Sequence, residues 1–540
     1  MAAALIVLLA GGLARCADYY VDPARGGDTN PGSLEAPWQH FRTAARIVQP
    51  GDTVFLREGR YTEDALFTVT AGTAEHPITV RPYPGETPVL TGGGDWGQMF
   101  HLNHDHYVLE GLTFEDTTCG NVVFMNHSQH CTVRDCTFRR QTGTMILLRG
   151  GGYHTIRDCD FDTTGSPEGG GDGDHVYVTG SQHNLIEGNH FVRAGHAVCD
   201  IIEYGEERSH HNIVRANLIE QHWGGGLYVS RLSYRNLLED NRILYVGEEM
   251  EYPKAPVQLA ADDNIVRRNL MLATGATPYA HNGVLLAAYR FSGMDQHCRN
   301  NAVYHNVLYR VGRTALMVTQ RQACQATGNH VLNNILYRCR TAGPAEPWWP
   351  AGNYYLAFET YHAFADNKWV EFPNGNAFHH NLVLHADGAG EQPGEDPLVF
   401  YEQEGWGHSL AWVQGQFPAW IHDNLEASPG FVDAESGDFR LEPDSAAIDR
   451  GDFLTRTREA GTDVTQIPVL EARFFCDGWG RIPGDMVRVG DNALVRVTAV
   501  DEAAQRLTLE TPVSFAAGDP VSLPWRGVRP DLGAYEAETP

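Results

Sequence analysis

Acidic, imidazole and phenolic side chains crowd into one stretch of this chain: Asp172, Asp174, His175, Tyr177, His196, Asp200 and Tyr228. Such groups on one rigid face support general acid/base chemistry. Two uses fit them. In the first, a base (Tyr177, Tyr228 or His175) removes a proton beside a sugar carboxylate, a β-elimination. Asp172, Asp174 and Asp200 would then hold the cation that neutralises that carboxylate, and Ca2+ is the cofactor such oxygen ligands suit. In the second, two of these carboxylates share the roles of acid and base or nucleophile in glycoside hydrolysis. A purely structural reading stands beside both, because Gly171-Asp-Gly-Asp174 is an ordinary turn sequence and surface Asp is ordinary on an acidic chain.

Cations and aromatics flank the cluster. Of 40 basic residues only Lys254 and Lys368 are lysines, so a Lys elimination base falls to Lys254 or Lys368 and an Arg base to Arg149 or Arg231. Lys254, Arg149 and Arg231 are also candidates for gripping an anionic sugar. Trp223, in a Gly-rich turn, and Tyr355 and Trp369, in a long insertion, are candidate stacking platforms for sugar rings. The neighbouring Trp348 and Trp349 read equally as a packed cover for the scaffold.

What positions these residues is an eight-residue frame that returns ten times, for example Asn184-Leu-Ile-Glu-Gly-Asn189-His-Phe and Asn212-Ile-Val-Arg-Ala-Asn217-Leu-Ile. The copies start at Tyr107, Cys131, His154, Asn184, Asn212, Asn236, Asn264, Asn301, Asn329 and Asn376. A period in the twenties with irregular insertions marks a solenoid. Within each copy apolar and polar residues alternate as in a strand, and a second short strand follows after a turn. Coils of two or three strands must stack to bury their apolar faces. The chain is therefore read as all-β, a right-handed parallel β-helix with an N-terminal cap and a small antiparallel insertion near the C-terminus.

Stacked coils bring identical frame positions one above another at about 4.8 Å. The sixth position, filled by Asn189, Asn217, Asn241, Asn269, Asn306, Asn334 and Asn381, is read as a ladder of side-chain amides at a sharp turn. Cys136 and Cys159 share that position in earlier coils, either as a disulfide or as buried thiols. Counting eleven residues on from it gives Leu147, Asp200 and Tyr228, and Tyr177 aligns with them in the intervening coil. These side chains are expected to point outward in one row, with His175 two residues back on the same face.

Composition narrows the partners. A formal charge of −28 disfavours nucleic acid and anionic membranes, and no apolar run beyond the first residues approaches membrane-spanning length. Residues 1–16 read as a cleaved export signal, which places the mature chain as secreted or periplasmic. Leu13-Ala-Arg-Cys16 distantly resembles a lipobox, but Arg15 is wrong for one. The layout is then 17–100 for the cap and first coils, 101–450 for the repeats, and 451–540 for a closing segment with a β module at about 467–526. A monomer is the default expectation.

The N-terminal stretch Tyr19-Tyr-Val-Asp-Pro23, Gly32-Ser-Leu-Glu-Ala-Pro-Trp38 and Ala44-Ala-Arg-Ile-Val-Gln-Pro-Gly-Asp-Thr-Val54 resembles the cap of secreted right-handed β-helix proteins of the pectate-lyase type. At the far end, Ser428-Pro-Gly-Phe-Val-Asp433, Ala446-Ala-Ile-Asp-Arg-Gly451 and Pro530-Asp-Leu-Gly-Ala-Tyr-Glu536 resemble the closing segment of such proteins. The resemblance implies a carbohydrate-active chain, foremost a polysaccharide lyase cleaving a uronate-containing glycan. The alternatives are a glycoside hydrolase using Asp172, Asp174 and Asp200, and a non-catalytic carbohydrate-binding solenoid. Asp172 and Asp174 followed by Gly195-His196 are also similar to the polygalacturonase pattern, although that family's first Asp motif and its Arg-Lys motif are missing.

Overall fold

A computed structural model describes residues 16–537 except 64–65, 93–96, 166–172, 222–223, 247–254, 275–281, 292, 312–313, 321–323, 340–353, 361–374, 385–398 and 402–405. Among the described residues three long sheets run the length of the molecule, two of 14 strands and one of 12. Each coil contributes one strand to each sheet, and pairing along the stack is parallel until the antiparallel pair that closes the second sheet. The chain is a right-handed parallel β-helix, with three strands per coil.

Local geometry explains the frame. Leu185–Glu187 belongs to the first sheet and His190–Val192 to the third, and the chain turns between them at Gly188 and Asn189. Residues at the fifth position take positive φ, as at Asp158, Gly188, Ala216, Asp240 and Arg268. One left-handed residue followed by an extended Asn redirects a strand within two residues, and the Asn side chain then supplies the hydrogen bonds that the corner backbone lacks. Asn241 Nδ2 donates to Val214 O (2.9 Å) and to Asn269 Oδ1 (3.0 Å), and the same bond to the next coil recurs from Asn189 to Asn424. A second ladder runs through the first frame position, from Asn184 to Asn376. Cys136 and Cys159 are buried free thiols, with Cys159 Sγ 3.4 Å from the backbone N of Cys136.

Inward columns form the core. Phe114, Phe138, Phe161 and Phe191 stack in the third sheet with ring centroids 4.7–4.8 Å apart, the strand spacing itself. Outside the helix, a six-stranded antiparallel sheet between Thr455–Arg456 and Pro520–Ser522 covers the first sheet. Phe439, Leu441, Ala447 and Leu532 of the closing segment cover the third. The short helix Phe41–Ala45 buries Phe41, Ala44 and Ala45 in the first coils. No helix among the described residues is long and apolar enough to cross a membrane. The proposed export signal lies outside the described residues, apart from Cys16.

Candidate active site

Neither the module nor the closing segment covers the second sheet where the strands Thr144–Arg149, Val176–Thr179, Ala197–Ile202 and Gly225–Tyr234 lie side by side. Their register pairs Leu147 with Tyr177, Tyr177 with Asp200, and Asp200 with Tyr228. The flanking Ile146, Leu148, Val176, Val178, Cys199 and Ile201 are buried in the core. The row therefore stands on the outer face, continued by Gln258.

Tyr177 and Asp200 line a groove of about 400 Å3 with Asp174, His196, Thr144 and the glycines 120, 143 and 173. Glycine is required in its floor, because a Cβ on Gly143 would lie 2.3 Å from Gly120 O. Asp174, just ahead of its strand, is fixed by the next coil: its Oδ1 accepts from the backbone N–H of Ala197 (3.0 Å) and lies 2.9 Å from His196 Nδ1. That anchor favours the imidazole tautomer protonated on Nδ1, which makes Nε2 the basic nitrogen.

Asp200 is 8 % exposed, and its Oδ1 is buried without a hydrogen-bond partner. Burial, and next the charge of Asp174, push its carboxyl up to about 7, while His196 and Arg231 pull the other way. Tyr177 is also raised, first by burial and then by Asp200 and Asp174, so its phenol stays protonated. Tyr228 is buried and raised likewise, and its ring meets His196 edge-on at 6.0 Å. Both phenols thus rest protonated at neutral pH, which speaks against the resting-base role expected of them.

His175 is a correction. It does not share the face of Tyr177; it is fully buried between Phe161 and Phe191, with both ring nitrogens unpartnered and its pKa lowered by burial to about 3. It lies on a bend before the strand starts at Val176, so strand alternation does not extend to it. The register puts it in an inward column with Val122, Met145 and Val198.

The cations sit beside the row rather than in the groove. Arg149 lies over the rings of Phe124 (4.7 Å) and Tyr204 (4.9 Å). Arg231 Nη1 bonds Glu203 Oε1 at 3.0 Å and lines a separate hollow with Arg208, Arg235 and Arg299. Glu203 was missed from sequence; it is buried just past the strand Ala197–Ile202, and its Oε2 has no hydrogen-bond partner. An acid closing the run Asp200-Ile-Ile-Glu203 was the available signal. Asp172, Trp223, Lys254 and Trp369 lie outside the described residues. Tyr355 belongs to the strand Tyr354–Thr360 of the same sheet, but its side chain is outside them too.

As donors to a hard cation, Asp174 and Asp200 fit in kind: the two carboxylates repel each other, and one of the oxygens is buried and unpartnered. Two of Asp174's hydrogen-bonding directions are already used by His196 and Ala197.

Two family models match the chain: a Pel9A-like right-handed β-helix region over residues 19–200, and a right-handed β-helix region over 121–343. The uncharacterised protein YwoF of Bacillus subtilis (strain 168) is 23% identical over 479 residues, which is 80% of this chain and 92% of that protein. Pectate lyase PEL9 of Emericella nidulans (strain FGSC A4) is 38% identical over 77 residues, 14% of this chain and 18% of the relative. The crystal structure of pectate lyase Pel9A superposes with a TM-score of 0.42 at 14% identity, covering 83% of this chain and 95% of that one. By its coil architecture this chain is a right-handed parallel β-helix protein, similar over residues 19–200 to the Pel9A-like family and over 121–343 to the wider right-handed β-helix family.

Proposed function

We propose that the chain is a polysaccharide lyase that cleaves a uronate-containing glycan by β-elimination in the groove beside Asp200. The observation that carries this is the Asp200 carboxyl, buried with an unpartnered oxygen in the same groove as a carboxylate-anchored imidazole and a protonated phenol. His196 is the base for the proton next to the sugar carboxylate. Tyr177 is the donor to the departing glycosidic oxygen. Asp200, still partly protonated near neutrality, donates a hydrogen bond to the substrate carboxylate and lowers the cost of charge developing there. Ca2+ on Asp174 and Asp200 would do the same by charge neutralisation. In support, the Pel9A-like match spans both aspartates, and a pectate lyase shares 38% identity over a short segment.

The test is a panel of uronate polysaccharides assayed for unsaturated ends and for reducing ends, with and without chelator. Unsaturated ends are expected, falling about 10²-fold or more in Tyr177→Phe and His196→Ala. Reducing ends without unsaturation would overturn the lyase reading in favour of hydrolysis by Asp174 and Asp200. A panel left wholly intact would favour a binding solenoid. Loss of activity in chelator, restored by Ca2+, assigns neutralisation to the ion; indifference to chelator assigns it to the Asp200 proton.

A further inference from the structure

The described residues contain two clusters of three histidines, each offering ligand atoms within 4.8 Å of one another: His183, His210 and His211, and His379, His380 and His422. Both lie away from the groove, and they differ in build. In the first, the two facing Nδ1 atoms are 2.7 Å apart, Arg235 and Arg481 press positive charge on it, and Trp479 meets His211 edge-on at 4.8 Å. Its rings also continue a stack through His106, His130 and Tyr153. That cluster is an aromatic column.

The second has the geometry of a chelate. His379 and His422 are register partners in the strands Ala377–His379 and Ile421–His422, with rings stacked at 4.9 Å. His380 follows at the left-handed corner (φ 50°), which brings its Nδ1 to 3.1 Å from that of His379. Two nitrogens on one Zn2+ at about 2.05 Å stand about 2.9 Å apart at a right angle and about 3.3 Å apart at the tetrahedral angle. The observed separation falls between these values. A carboxylate stands beside the set: Asp423 Oδ2 is 2.9 Å from His422 Nδ1 and 3.9 Å from His380 Nε2.

Elsewhere the column that holds His379 carries Glu110, Arg134, Arg157, Glu187, Arg215, Glu239, Arg267, Tyr304 and Leu332. Imidazoles enter this column only at its far end, where a two-residue strand closes the sheet.

We propose that His379, His380 and His422, with Asp423 as fourth ligand or orienting carboxylate, bind one borderline divalent ion of the Zn2+ type. The ion staples the closing strand Ile421–His422 to the coil before it. This is independent of the groove and of the reaction proposed there.

The test uses the full chain, stripped by chelator and titrated with Zn2+ while bound metal and melting temperature are followed. One tight equivalent is expected, together with a rise in melting temperature. Both should vanish in the double variant His379→Ala/His422→Ala and persist in His183→Ala/His210→Ala. Asp423→Asn should weaken binding by about 10- to 100-fold. A measurement on the unaltered protein guards against variants that misfold: Zn2+ should protect His379, His380 and His422, but not His183 or His210, from an imidazole-modifying reagent read by peptide mass spectrometry. No tight equivalent in the unaltered protein, or protection of the other cluster instead, would overturn the assignment.

Discussion

A carboxyl raised to about 7 gives Asp200 two consequences that one substitution separates. The folded protein holds a proton there over a pH range in which the unfolded chain, with its ordinary carboxyl near 3.8, has lost it. Stability from this group is therefore fully present below about pH 4 and declines as pH rises to about 7, with an upper bound of about 4 kcal/mol. Asp200→Asn keeps the shape and removes the titration. Its stability relative to the parent should improve steadily from pH 4 to pH 7, by up to that amount, in paired denaturation curves. A flat difference would mean that Asp200 titrates normally. The same variant should lose turnover in the lyase assay, because an amide donates a weaker hydrogen bond to the substrate carboxylate than a carboxylic acid does and is a weaker Ca2+ ligand than a carboxylate. His175 makes the opposite point: two residues from Tyr177 in sequence, it is an aromatic spacer in the core, and its type alone says nothing about chemistry.

Corners rather than strands set the register of this solenoid. Asn241, nearly inaccessible to solvent, accepts from the backbone and side-chain amides of Asn217 while donating to Val214 O and Asn269 Oδ1. Truncating it strands donors and an acceptor in a site with little room for water. Asn241→Ala should cost about 2–4 kcal/mol, measured by denaturant unfolding, since each orphaned buried group costs about 1–3 kcal/mol. A cost under 1 kcal/mol would mean that water or a shifted corner replaces the amide. These corners also explain how much was readable from sequence. The Asn spacing is a backbone requirement that repeats, so the parallel stack and the alignment of Tyr177, Asp200 and Tyr228 could be counted out. Gly143 and Glu203 were not legible as groove and partner, because their roles depend on which coil neighbours them in space. His175 misled because alternation holds within a strand and fails at the bend before it.

Frame positions two and three are both apolar from Asn184 through Asn301, which breaks the alternation expected of a strand with one buried face. The third faces the helix core, as Ile186, Val214, Leu238, Val266 and Val303 do. The second faces the antiparallel module, where Leu185, Ile213, Leu237, Ile265 and Ala302 pack with Ile467, Val469, Phe474 and Phe475. In the two copies just before these, that second position is polar, with Thr132 and Thr155. The module is thus written into the repeats it covers, and it sits on a different sheet from the groove. Arg267 joins the two bodies: fully buried, it bonds Glu239 Oε2 at 2.9 Å, Asp485 Oδ2 of the module at 2.8 Å and the Tyr304 hydroxyl at 3.0 Å. Removing it would leave the buried Asp485 carboxylate without its counter-charge, while Glu239 keeps Arg215 and Arg268. Arg267→Ala should therefore destabilise docking by about 3–5 kcal/mol. Hydrogen exchange should rise in Met486–Val489 while Ala197–Ile202 beside the groove stays protected, and lyase turnover should survive. Replacing Arg267 and Asp485 together by Met and Leu should recover part of the loss, because no carboxylate is then left without a counter-charge while Glu239 keeps Arg215 and Arg268. Exchange that rises equally in both strands would show instead that module and coils unfold as one cooperative body, with Arg267 holding the stack itself together.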